Sequence, residues 1–225
     1  MNIKEIRQIP APELAALLAR IPFFRELRQR DEEQLQLLLT YSCFVELEPG
    51  ETIMRRGEKG TRLYFLIKGE LQVFRDQPVP GDSLNTITPG ELFGDLALLF
   101  GSERKATVAA LPNRAALLFA FDFRAFGELD DFNQVHLSSK LLFYRTLVHS
   151  IRWRLEVNRM EQPRHALVAE LLKAPVYRGA RDSVAELHAL YGQAQYLARI
   201  LENWNQGDAK RGELFVAANN ETPAG

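Results

Sequence analysis

The chain has 225 residues, 46% of them hydrophobic and 25% charged, an ordinary globular balance that excludes a wholly disordered protein. Lys and Arg number 28 against 29 Asp and Glu, so the net charge of −1 excludes a global field that recruits nucleic acid or anionic lipid. The single cysteine, Cys43, excludes an intramolecular disulfide and a cysteine-rich zinc site, and apolar runs such as Leu96 to Phe100 are far too short to span a membrane. The N-terminus, Met1 to Glu5, carries an acidic residue and has no apolar signal region. The expectation is a soluble, cytoplasmic protein with one full domain and an appendage, or with two small domains.

Residues 1–24 predict a short helix after Pro12, with Leu14, Leu17 and Leu18 on one face. A second helix places Leu35, Leu38 and Leu39 together behind a cap at Asp31. From Cys43 to Phe123 short apolar bursts alternate with polar residues and are cut by Pro49-Gly50, Gly57, Gly60, Gly69, Gly81 and Pro89-Gly90. Many short strands between closely spaced turns predict an antiparallel roll or jelly roll, and an α+β fold class overall. From Asp131 to Met160 the helical period returns. Leu137, Leu141, Tyr144, Val148, Ile151 and Leu155 step by four and three, a heptad seam that predicts a homodimer through residues 134–160. Residues 164–173 and 183–205 read as two further helices, and Lys210 to Ala218 as one short strand before a polar tail. The resulting division is a helical segment 1–24, a β-roll 25–128, a connecting and dimerisation helix 129–160, and a helical extension 161–225.

The stretch Phe93 to Thr107 carries the chemistry. Pro89-Gly90 and Gly94 punctuate its entry, and an apolar helical turn follows at Leu96 to Leu99. Amides exposed at a tight turn can cradle a phosphate, and Arg104, ten residues after Gly94, offers a guanidinium for its oxygens. Asp95 beside those amides repels a phosphate unless it accepts a hydrogen bond from a ligand hydroxyl, a demand that a ribose satisfies.

At these residues the chain resembles the cyclic nucleotide-binding domain. Phe93-Gly94-Asp95, Leu96-Ala97-Leu98 and Arg104 through Thr107 are similar to its phosphate-binding cassette. Pro49-Gly50-Glu51, Leu63 to Glu70, and Ile21 to Leu27 agree with its flanking pattern. The resemblance covers residues 21–160. It implies a regulatory module rather than an enzyme, with cAMP as ligand, cGMP as the alternative, and no other cofactor. By resemblance Arg104 holds the cyclic phosphate with the amides after Gly94, at Leu96 and Ala97, and that of Lys105. Asp95 meets the ribose 2′-hydroxyl, and the long helix closes over the purine with Ser150 or Arg152. Three residues depart from the pattern. Asp95 stands for a glutamate and reaches one methylene less, Glu103 for a proline, and Lys105 for a small residue.

The histidines, His136, His149, His165 and His188, all fall outside the roll and have no metal-ligand spacing, so no metal is expected. No nucleophile constellation stands out either. Relatives of the catabolite activator and anaerobic regulator family end in a DNA-binding helix-turn-helix, which must break helical phase between its helices. Here Leu187, Leu190, Ala194, Leu197, Leu201 and Trp204 run straight past Gly192, and residues 161–225 hold seven basic against eight acidic residues. The pattern therefore favours a helical hairpin that signals to a protein partner, with DNA binding as the disfavoured alternative.

Overall fold

The computed structural model describes residues 1–79, 81–101 and 103–219. The chain opens with strand β1 (Asn2–Glu5) and continues through helices α1 (Ala11–Leu18), α2 (Pro22–Arg30) and α3 (Glu32–Thr40). The roll follows as β2 (Ser42–Leu47), β3 (Thr52–Met54), β4 (Arg62–Lys68), β5 (Leu71–Phe74), β6 (Asn85–Ile87) and β7 (Leu92–Phe93). It is completed by the short helix α4 (Asp95–Leu99), β8 (Thr107–Ala110) and β9 (Ala116–Asp122). Three helices close the chain, α5 (Leu137–Glu161), α6 (Val168–Leu171) and α7 (Val184–Asn219).

The strands form two antiparallel sheets, one ordered β1-β2-β9-β4-β7 and the other β3-β8-β5-β6. The central strands of the first sheet are buried on both faces, and the two-residue period sorts their side chains into two cores. Phe44, Leu63, Phe65, Ile67, Phe119 and Phe121 face the helices. Val45, Leu47, Tyr64, Leu66, Leu118 and Ala120 face the second sheet. On the helical side Phe24 is fully buried, its ring edge-on to Phe23, Phe65, Phe119 and Phe121. Asp31 caps α3 as expected, accepting from the Gln34 backbone N–H at 3.0 Å.

Two buried polar side chains fix the start of α5. Gln34 donates to the Gln134 carbonyl and accepts from the His136 N–H, both at 2.9 Å. The Lys140 ammonium, 1% exposed, donates to the carbonyls of Glu128, Leu129 and Asp131, so its three N–H groups are matched by three acceptors.

Several expectations are corrected. Residues 2–5 form a strand on β2, with Asn2 opposite Glu46. All four are exposed, so no hydrophobic alternation marks them. The helix expected at 164–173 shrinks to the single turn of α6. The residues expected as a strand, Lys210 to Ala218, continue α7, and the tail beyond Asn219 lies outside the described residues. The seam of α5 does not wait for a second copy. Leu141, Tyr144, Val148, Ile151 and Leu155 are buried in one cluster with Leu187, Leu190, Ala194, Leu197 and Leu201 of α7. Both helices carry the same three–four apolar spacing, and the α5 stripe is filled by this partner from the same chain. The backbone of α7 passes Gly192 without a break, so residues 184–205 form one helix and no helix-turn-helix.

Candidate functional site

A cavity of about 900 Å³ lies where the roll meets the helices. Its floor is apolar, with Met54, Val73, Ile87 and Val108 from the second sheet. The cassette supplies Gly94, Asp95, Leu96, Ala97, Arg104 and Lys105. The lid side comes from α5, through Thr146, His149, Ser150, Trp153 and Arg154, and from α7, through Leu201, Glu202 and Asn205.

Arg104 lies at the centre of this geometry and is only 5% exposed. Its two terminal nitrogens donate to the backbone carbonyls of Gly94 at 2.8 Å and Arg62 at 2.7 Å, and its guanidinium carbon sits 5.8 Å from the centre of the Tyr64 ring. Two glycines make room for it. A Cβ on Gly60 would overlap the guanidinium, and one on Gly94 would come within 2.9 Å of Nη1. Gly94 also has φ +84°, a left-handed conformation that L side chains rarely adopt. Among the described residues no carboxylate lies within ion-pair distance of Arg104. Desolvation by burial accordingly lowers its pKa, opposed by the charges of Tyr64, Asp95 and Glu58. A buried cation held only by neutral carbonyls is poised for an anion.

Asp95 is 2% exposed and binds Arg154 of α5 through both oxygens, one contact at 3.4 Å and the other closer. This pair joins the first turn of α4 to the long helix. Lys105 turns to α7 and pairs with Glu202 at 3.2 Å. The cassette meets α7 again where Gln195 donates to the Leu99 carbonyl at 3.3 Å and where Arg199 lies 5.9 Å from the Phe100 ring centre.

The structure thus brings Gly94, Asp95, Leu96, Ala97, Arg104, Lys105 and Ser150 to one cavity. Arg152 is not among its lining residues, and Arg154 takes that place. At about 100° per residue, two residues apart on a helix point to nearly opposite faces. The choice between these arginines depends on how α5 is rotated against the roll. The sequence pattern also gives no notice of Gly60 as the berth of Arg104, nor of Trp153, 55% exposed, on the cavity wall.

Residues 44–130 match the cyclic nucleotide-binding domain family. This stretch has the pattern of a cyclic nucleotide-binding domain. Over 111 residues it is 33% identical to a protein of Rhodopseudomonas palustris assigned as a potassium channel, spanning 49% of this chain and 26% of that protein. Over 102 residues it is 32% identical to the cAMP-dependent protein kinase type II regulatory subunit of Drosophila melanogaster, spanning 45% and 26%. The chain thus spans about a quarter of the length of these curated relatives. A solved structure of a protein from Geobacter metallireducens, described as cyclic nucleotide-binding, shares the fold with TM-score 0.51 and 19% identity, covering 65% of this chain and 99% of that one.

Among the described residues no cluster of His, Cys, Asp and Glu is arranged to hold a metal ion, and no helix is long and apolar enough to cross a membrane.

Proposed function

We propose that the domain is a cyclic nucleotide sensor, with cAMP as its ligand and cGMP as the competitor to test against it. The observation that carries this reading is the buried, carboxylate-free Arg104 guanidinium at the wall of a cavity large enough for a nucleotide. In this reading Arg104 keeps its bonds to the carbonyls of Gly94 and Arg62 and gives its remaining N–H groups to the phosphate. The amides of Leu96 and Ala97, in the first turn of α4, add neutral donors. Lys105 contributes charge by exchanging Glu202 for the phosphate. Asp95, already held by Arg154, has lone pairs left to accept the ribose hydroxyl, and Ser150 faces the purine. The ligand therefore touches both the cassette and α5, and a shift of the cassette is carried to α5 through Asp95–Arg154 and to α7 through Lys105–Glu202.

The output in this proposal is a protein partner that reads the helical side, in a cytoplasmic setting suited to a single reduced cysteine. Nothing here calls for catalysis. A homodimer through the α5 seam is not part of the reading, because α7 already covers that seam. DNA binding through residues 183–205 is not part of it either, because residues 184–205 form a single helix. The test is titration calorimetry of the full chain with cAMP and with cGMP, beside Arg104→Ala. Binding that Arg104→Ala weakens by about 100-fold, the cost of roughly one or two charge-assisted hydrogen bonds, supports the proposal. No binding up to millimolar ligand overturns it.

A further inference from the structure

The cavity holds more positive charge than one cyclic phosphate uses. Five cationic side chains line it: Arg56, Arg75, Arg104, Lys105 and Arg154. Arg104, Lys105 and Arg154 belong to the cassette site described above, which leaves Arg56 and Arg75. Arg75 makes no hydrogen bond or ion pair among the described residues. Arg56 pairs with Asp76 at 2.9 Å, with both side chains at least half exposed, so this contact is weak and exchangeable.

Arg56 and Arg75 are neighbours through the fold and not through the sequence. The register of the second sheet sets Phe74 opposite Thr107, which brings Arg75 to the Lys105–Ala106 end of β8. The backbone N–H of Arg56 donates to the Thr107 hydroxyl at 3.1 Å, bringing the segment after β3 to the same end. Three chain segments thus place cations around one end of the roll, while the Arg104 guanidinium is held against the carbonyls of Gly94 and Arg62. A cavity of about 900 Å³ is near the upper end of the roughly 300–1,000 Å³ range for small-ligand sites. One base, one ribose and one phosphate leave part of it unfilled.

We propose that Arg75 and Arg56, with Lys105 between them and Arg104, form a second anion subsite, and that the domain accepts a ligand with two separated phosphodiesters, a cyclic dinucleotide. One phosphate occupies the Arg104 berth and the other meets Arg75. The Arg56–Asp76 contact opens to supply a second guanidinium, because an anion held by two forks in a partly enclosed cavity outcompetes an exposed carboxylate. The proposal rests on the cyclic nucleotide reading of the Arg104 site and extends it to a larger ligand.

Titration calorimetry of the full chain with cyclic di-AMP, cyclic di-GMP, cAMP and cGMP tests it, on the natural protein and on Arg75→Ala, Arg56→Ala and Arg104→Ala. The expected result is that one cyclic dinucleotide binds and that Arg75→Ala weakens it at least tenfold. Arg56→Ala should weaken it several-fold, and Arg104→Ala should weaken every ligand that binds. Any cyclic mononucleotide affinity should change less than twofold in Arg75→Ala. Arg75 sits on the partly exposed rim, so its variant is expected to fold, and an unchanged thermal midpoint verifies this. If a mononucleotide binds while both dinucleotides fail, the second subsite is overturned and the sensor reading stands. If Arg75→Ala leaves dinucleotide affinity unchanged, or weakens both ligand classes equally, the second subsite is likewise overturned. Failure of all four ligands overturns both proposals.

Discussion

The helical side of the first sheet and the cavity, whose floor is the second sheet, are filled in opposite ways. On the helical side large apolar groups pack together, among them Phe23, Phe24, Ile151 and Trp204, each at most 1% exposed. On the cavity side the space stays open, and one buried guanidinium rests on backbone carbonyls with no ion-pair partner among the described residues. The first arrangement yields stability through area removed from water and dispersion contacts. The second keeps charge where a small anion can reach it. The cost of keeping Arg104 dry is borne by a scaffold that the other side holds rigid.

Mutations that separate these roles sharpen the contrast. The largest effect is expected for Phe24→Ala, which leaves a hole among four aromatic neighbours. It should destabilise the fold by about 3–5 kcal/mol in a denaturant titration. A loss below about 1 kcal/mol would deny that the helical side is the mechanical support. Next comes Asp95→Ala, which leaves the Arg154 guanidinium, 20% exposed, without its carboxylate. A cost of about 1–3 kcal/mol is expected. A double-mutant cycle with Arg154→Met should recover part of it, and strict additivity would show that the pair does not couple the cassette to α5.

Gly60→Ala is smaller in stability but specific in function. Its Cβ must displace the Arg104 guanidinium, so nucleotide affinity should fall at least tenfold while stability changes by less than about 1 kcal/mol. Unchanged affinity would mean that Arg104 does not act from this berth. Smaller again is Glu202→Gln, which removes a partly exposed partner of Lys105. Its stability change should stay within about 1 kcal/mol.

The smallest expected signal is the pH dependence of Cys43. Burial raises its thiol above the ordinary value of 9.0, with the Arg62 charge opposing. The folded pKa exceeds the unfolded one, so this group's stabilisation is complete below about pH 9 and declines as pH rises toward the folded value. Alkylation by iodoacetamide at pH 8 should therefore be slow in the native protein and fast in denaturant. Equal rates would contradict the buried position.

Much of this was legible in the residues themselves. Alternating apolar bursts marked the strands, and Asp31 marked the cap of α3. Gly94, Asp95 and Arg104 marked the cassette because their chemistry is bound to short spacings. What escaped depended on distant segments meeting. Arg154 reaches Asp95 across 59 residues, Gly60 matters only because Arg104 folds onto it, and the α5 seam reads the same whether a second copy or α7 covers it. Strand β1 escaped for another reason, since an exposed edge held by backbone pairing leaves no apolar pattern to read.

The two tryptophans have a practical consequence. Trp204 is 1% exposed and stacked on His165 at 4.2 Å, whereas Trp153 is 55% exposed on the cavity wall. Nature has thus fitted the molecule with two intrinsic fluorophores of opposite sensitivity. Emission from the outer indole should respond to an arriving solute, while the inner one should stay constant until the polypeptide unravels. A single spectrum, with Trp153→Phe as its blank, could follow occupancy and integrity together without any added dye.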